Sequence, residues 1–235
     1  RIQPTQAAHQ VLPRIKLWLN ELDDIQNDLS HSQNLVKGRL KIGTSHHIGL
    51  HHLPKHLKAF TQQYPNVQLD VQFVDSEQAH QQVLAGEIEL AFITLPPQSH
   101  HKLQYQVLWE DSLKFVAAPF HALANKTGLQ LKDLMDYPSV LPAVHTYTSQ
   151  ITLAEFAKHD LKPQATMTSN PLESLRMLVS IGLGWSVLPQ TLVTQDLCVL
   201  DLDVNLQRKL GIVWHPERSQ SKAVEKLIEM VQQPI

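Results

Sequence analysis

A single cysteine, Cys198, leaves this chain no internal disulfide, which favours a reducing compartment such as the cytoplasm. It lies in the apolar run 197–200, where a small buried hydrophobe in a strand is expected rather than a redox centre. Positive charge is equally scarce, with 20 Lys and Arg against 22 Asp and Glu for a net charge of -2. Affinity for nucleic acid rests largely on neutralising phosphates, so these residues are not expected to grip DNA by themselves. Nor does any apolar run approach the roughly 20 residues that a spanning helix needs. The opening Arg1-Ile2-Gln3-Pro4, without Met, reads as the start of a trimmed chain with no visible leader. Catalytic signatures are missing too: there is no G-x-S-x-G elbow and no Walker A loop, and Ser, His and Asp are plentiful without forming a triad pattern. An enzyme is not expected.

What is present divides at about residue 35. Val11, Ile15, Trp18, Leu22, Ile25 and Leu29 follow one another at alternating spacings of four and three, with mostly polar residues between. Such a narrow a/d stripe suits a long helix pairing with another long helix, so 1–35 reads as a linker and dimerisation helix, kinked or begun at Pro13. Beyond it, strand and helix patterns alternate. Residues 39–44 and 67–74 alternate with period two. Leu50, Leu53, Leu57, Phe60 and Tyr64 mark one helix face, a further helix runs from Asp75 or Ser76 to Gly86, and 87–94 is a strand. This order calls for parallel pairing through crossover helices, an α/β domain. Strands are also expected at 106–109, 114–117, 139–141, 164–168, 185–188 and 209–214, a turn at 131–135, and helices at 153–159, 173–181 and 222–233. These two cycles suggest two lobes.

Four stretches in order resemble the LysR-type transcriptional regulators. They are 2–8 (IQPTQAA), 39–65 with its Leu53-Pro54, Phe60 and Tyr64-Pro65 landmarks, 84–92 (LAGEIELAF), where Glu89 stands in place of the commoner Asp, and 178–189 (LVSIGLGWSVLP). The resemblance implies a two-lobed fold like that of type 2 periplasmic binding proteins, in an effector-binding domain over 36–235. Lobe I would comprise 39–116 and 213–235 and lobe II 117–212, hinged at 114–117 and 209–214. It further implies a ligand between the lobes, a homodimer or homotetramer formed through the linker helix, and DNA contact through a separate N-terminal winged helix-turn-helix domain.

The candidate effector site begins where the first strand ends, at Thr44, Ser45, His46 and His47. A strand-to-helix turn offers free N–H groups and the positive end of a dipole, favouring a small anion, and the histidines can titrate near neutrality. The resemblance places the effector at this turn, at the stretch around Thr146 and Thr148, and at Ser169 and Asn170. Thr94 closes its strand nearby. His47/His51 and His52/His56 are spaced i, i+4, as metal-binding pairs can be, but no further ligand is in view. His51, His52 and His56 are expected on the exposed side, so no metal or other cofactor is expected. The expected function is ligand sensing for a transcription factor. Its rivals are a solute-binding protein of a small-anion uptake system, which would not need the heptad seam, and a metal-dependent enzyme.

Overall fold

The computed structural model describes Thr5, Ala7, Ala8, Val11, Leu12, Ile15, Trp18 and Leu22, and then residues 36–218 and 220–233. Its first strands are set by alternation. In β1 (Gly38–Thr44), Leu40 and Ile42 are fully buried on one face, and β1 pairs in parallel with β2 (Val67–Phe73) and β3 (Leu90–Thr94). Every residue of β3, which lies between parallel β1 and antiparallel β9, is buried, as expected of a central strand covered on both faces. Two long antiparallel strands continue the sheet, β4 (Gln104–Ala117) and β9 (Leu206–Trp214), followed by β7 (Ser186–Pro189) and the short β8 (Cys198–Val199) on β4. The order is β2-β1-β3-β9-β4-β7. A separate parallel pair, β5 (Val140–Leu141) with β6 (Met167–Thr168), meets this sheet at the Ser139–Trp185 bridge.

Two groups of apolar residues sit at opposite ends of β4 and β9. At one end Leu40, Ile42, Ile48, Phe60, Phe92, Leu210 and Ile212 pack under the C-terminal helix, and at the other Leu113, Phe115, Phe156, Trp185, Val187 and Leu206 form a second core. Trp185 anchors the latter: it is fully buried, stacks on Phe156 and donates its Nε1–H to Leu134 O at 3.0 Å. β4 and β9 belong to both cores, so they are the only described strands that tie one half to the other.

Helices α1 (His46–His51) and α2 (Pro54–Gln63) follow β1, then α3 (Ser76–Ala85), α4 (Tyr147–Ala157), α5 (Leu172–Ser180) and α6 (Lys222–Val231). Thr146 starts α4 by accepting from Ser149 N, and Ser221 starts α6 by accepting from Val224 N. In α6, Ala223, Val224, Leu227 and Val231 form the buried stripe.

Several expectations are corrected. The helix marked by Leu50 is two helices, because Pro54 sits at the first turn of α2 and Leu53 closes the break. That break changes the helical phase: Leu50 is 53% exposed, whereas His47 and His56 are buried. The strands 106–109 and 114–117 are one, β4. The helix at 153–159 begins six residues earlier, at Tyr147, and 131–135 is a 3₁₀ helix over Leu131–Asp136. Cys198 is half-buried rather than buried. The described seam residues Val11, Ile15, Trp18 and Leu22 are helical and exposed; Ile25 and Leu29 lie outside the described residues.

Candidate functional site

Four helices start at one place. The residues preceding α1, α3, α4 and α5 are Ser45, Asp75, Thr146 and Pro171, and all four line a single cleft with a cavity of about 50 Å³. Each helix brings N–H groups that lack an acceptor within the helix and the positive end of its dipole, so polar or negative groups are favoured there. The other walls are His46, His47, Ser76, Glu77, Thr94, Thr148, Asn170 and Arg208.

Arg208, on β9, organises the floor. It is 3% exposed and donates through Nε to Asp111 Oδ2 at 2.8 Å, while Nη2 lies 2.7 Å from the same oxygen. Nη1 donates to Thr148 Oγ1 at 2.9 Å and approaches Thr94 Oγ1 at 3.4 Å. Burial pulls the guanidinium pKa down, opposed by the neighbouring Asp111 carboxylate. A buried pair of this kind holds because each charge keeps the other; either alone would be costly.

Two further carboxylates line the cleft. Asp75 Oδ2 accepts from Asn170 Nδ2 at 2.6 Å, and Asn170 Oδ1 accepts from Ala143 N at 3.2 Å. Glu77 accepts from the Tyr147 backbone N–H, placing a negative group at the start of α4. Burial holds the Glu77 carboxyl above its ordinary range, tempered by that hydrogen bond. The Tyr147 phenol is pushed up to about 12, by burial first and by Glu77 next. His47 is held neutral, its pKa lowered to about 2 by burial and then by Arg208. It therefore does not titrate near neutrality, which corrects one expectation for the turn.

The fold thus brings together Ser45, His46, His47, Thr94, Thr146, Thr148 and Asn170 from four separated stretches. Thr44 and Ser169 do not line the cleft. Thr44 is fully buried with its hydroxyl donating to Ser45 O, and Ser169 is half-buried behind Asn170. Sequence reasoning missed Arg208, Asp111, Asp75 and Glu77. Asp75 and Glu77 could have been found as acidic residues at the start of a helix whose neighbours point to a crevice. Nothing in the sequence marks Arg208 and Asp111 as partners.

A sheet running through two cores, with helix starts gathered in the cleft between them, defines an α/β fold of the two-lobed ligand-binding kind. Residues 33–234 match the family model for the LysR substrate binding domain, and the chain belongs to that family. A probable RuBisCO transcriptional regulator of Trichormus variabilis is 25% identical over 241 residues, covering 96% of this chain and 70% of the relative. The regulatory domain of Synechocystis PCC6803 CcmR, solved in complex with 2-PG, has a TM-score of 0.74 at 22% identity over 83% of this chain and 96% of that one. The effector-binding domain of QuiR, solved in complex with shikimate, has a TM-score of 0.75 at 17% identity over 83% and 96%. Among the described residues no helix is long and apolar enough to cross a membrane.

Proposed function

We propose that this chain senses a small metabolite for a LysR-type transcription factor. The metabolite carries an acidic group and at least one hydroxyl or amine, and it binds between two lobes whose division crosses β4 between Trp109 and Leu113 and β9 between Leu206 and Leu210, rather than at 116/117 and 212/213 as the resemblance implied. The convergence of four helix starts and Arg208 on one cleft carries this reading. The acidic group meets Ser45, His46 and the hydroxyls of Thr94 and Thr148 beside Arg208, while Asp75 and Glu77 accept from the other arm. The cavity of about 50 Å³ is small, so a metabolite is accommodated with some widening of the cleft. Binding then selects one closure angle and, through it, one arrangement of paired linker helices. The CcmR and QuiR domains bound to 2-PG and shikimate support a small-molecule occupant.

The exposed seam of Val11, Ile15, Trp18 and Leu22 supports a homodimer or homotetramer. DNA is read by another part of the regulator, the setting is the cytoplasm, and no reaction is catalysed. An uptake protein is disfavoured by the regulator family and needs no such seam. A thermal-shift and calorimetric screen against small carboxylic acids, phosphates and sulfur-containing anions tests the site. Ser45 makes no side-chain capping bond, so Ser45→Ala should keep the melting point and weaken the hit by at least about ten-fold, the loss of one charge-assisted hydrogen bond. Unchanged affinity in that variant would remove the effector from this turn.

A further inference from the structure

The structure assigns a second ligand site beside the cleft: His47 and His51 of α1 and Glu173 of α5 hold one divalent transition-metal ion, zinc by donor set, that fastens the two halves together. One ligand atom from each residue lies within 4.8 Å of the others. A tetrahedral zinc with bonds of about 2.0–2.1 Å separates its ligand atoms by about 3.4 Å. His51 Nε2 and Glu173 Oε1 already stand 3.4 Å apart, so the His47 imidazole alone has to draw in.

The side chains are also poorly satisfied without an ion. His47 Nδ1 and Glu173 Oε1 are buried and find no hydrogen-bond partner among the described residues, although His47 is 3% exposed. Native interiors seldom leave such atoms unpaired. The other nitrogen of His47 has only distant company, Thr191 Oγ1 at 3.5 Å and Asp111 Oδ2 at 3.7 Å. An imidazole with a carboxylate behind one nitrogen is the usual arrangement of a metal-bound histidine. The rings of His47 and His51 lie 4.8 Å apart and tilted by 40°, a spacing that one turn of helix provides.

The groups facing the cluster do not forbid a cation. Arg208 lies near His47, but its charge is matched by Asp111. His52 packs against His47 with ring centres 5.6 Å apart. Two imidazoles and one carboxylate suit zinc, nickel or copper over magnesium or calcium, and three protein ligands leave one position for water. Because α1 and α5 meet across the cleft, an ion here restrains its opening. This assignment does not depend on what occupies the effector cavity.

The test uses the whole chain after chelator treatment, titrated with ZnCl₂ by calorimetry and with CoCl₂ by visible absorption. One tightly bound zinc per chain, a raised melting point, the intense bands of four-coordinate cobalt, and no response to MgCl₂ are expected. The side chains of His51 and Glu173 are about a third exposed, at 36% and 34%, so His51→Asn and Glu173→Gln should fold. Each should weaken zinc by at least about ten-fold. A His100→Asn/His101→Asn variant removes a stacked histidine pair elsewhere and should leave affinity unchanged. Zinc binding retained in both ligand variants, or lost in the His100/His101 control, or absent from the parent chain, overturns the site. Should His51→Asn fail to fold, Glu173→Gln alone decides.

Discussion

Arg208 donates to Thr148 Oγ1 at 2.9 Å while its other edge is held by Asp111 Oδ2 at 2.8 Å, so one guanidinium joins both long strands to the first turn of α4. Asp111→Asn removes the counter-charge and leaves a cation that burial already disfavours. A loss of about 3 kcal/mol is expected, the usual cost of orphaning one partner of a buried pair. Urea unfolding followed by fluorescence checks it. The double variant Asp111→Leu/Arg208→Met should recover much of that loss, since no charge is then stranded. A double variant as unstable as Asp111→Asn would show that the pair shapes the cleft through geometry beyond its charge balance.

Acid and base should act on this domain through different residues. His80 is 5% exposed, its Nε2 lies 2.7 Å from Tyr105 Oη, and burial lowers its pKa below 6.5. Unfolded, it takes up a proton near 6.5; folded, it resists. Its contribution to stability is therefore complete above that value and declines as pH falls below it. His80→Gln should flatten the loss of stability between pH 6.5 and 5. Glu77 runs the other way, because its folded pKa is raised above 4.5. Its contribution is present below 4.5 and is lost as pH rises through the raised value. Glu77→Gln should match or exceed the parent in stability at pH 7 and lose that advantage at pH 4. Melting curves across this range check both, and parallel curves for parent and variants would contradict them.

Gly211 sets how closely β4 and β9 approach. A Cβ there would meet Gln106 O at 2.0 Å, where the register of the two strands shifts between Val107 and Trp109. The obstacle is backbone, so neither strand can move aside without breaking the ladder that joins the halves. Gly211→Ala should destabilise by about 1–3 kcal/mol, the range for overpacking a filled site, and should speed amide exchange at 105–108. Ordinary exchange in that segment would mean that the strands bend freely.

The parts of the fold legible in the sequence are mostly those with a regular apolar pattern between clear breaks, β3 among them although both its faces are buried. β1 and β2 were readable from alternation, and α6 from its stripe. β4 reads as two strands because Glu110 and Asp111 interrupt the apolar pattern, although the backbone runs on between the cores. Asp111 is buried only because Arg208, far along the chain, answers its charge, and neither residue advertises the other. The helix after β1 was legible as a helix but not in phase, since Pro54 divides it and turns His47 and His56 inward. The polar stretches lining the cleft stood out as Ser, Thr and Asn at element ends. Glu173 as a companion of His47 and His51 required α5 to be placed against α1, which no local pattern reports.

The heptad seam carries the last prediction. Trp18 is 68% exposed and Leu22 56%, on residues that are helical, and Val11 and Ile15 extend the same stripe at 48% and 43%. Large apolar side chains repeated every three to four residues are not left in water by a helix that stands alone, because each fully buried side chain of this size gains about 1.5–3 kcal/mol. A second copy of the same helix offers the matching surface with no further requirement on sequence. Trp18→Asp puts a charge into that seam on both partners at once and should lower the mass seen by light scattering, while the melting behaviour of the α/β portion stays close to the parent's. If the variant stays oligomeric, copies of the chain associate through the lobes; if the parent is itself a monomer, the seam is unpartnered, and in either case the link between cleft closure and helix arrangement would have to be abandoned.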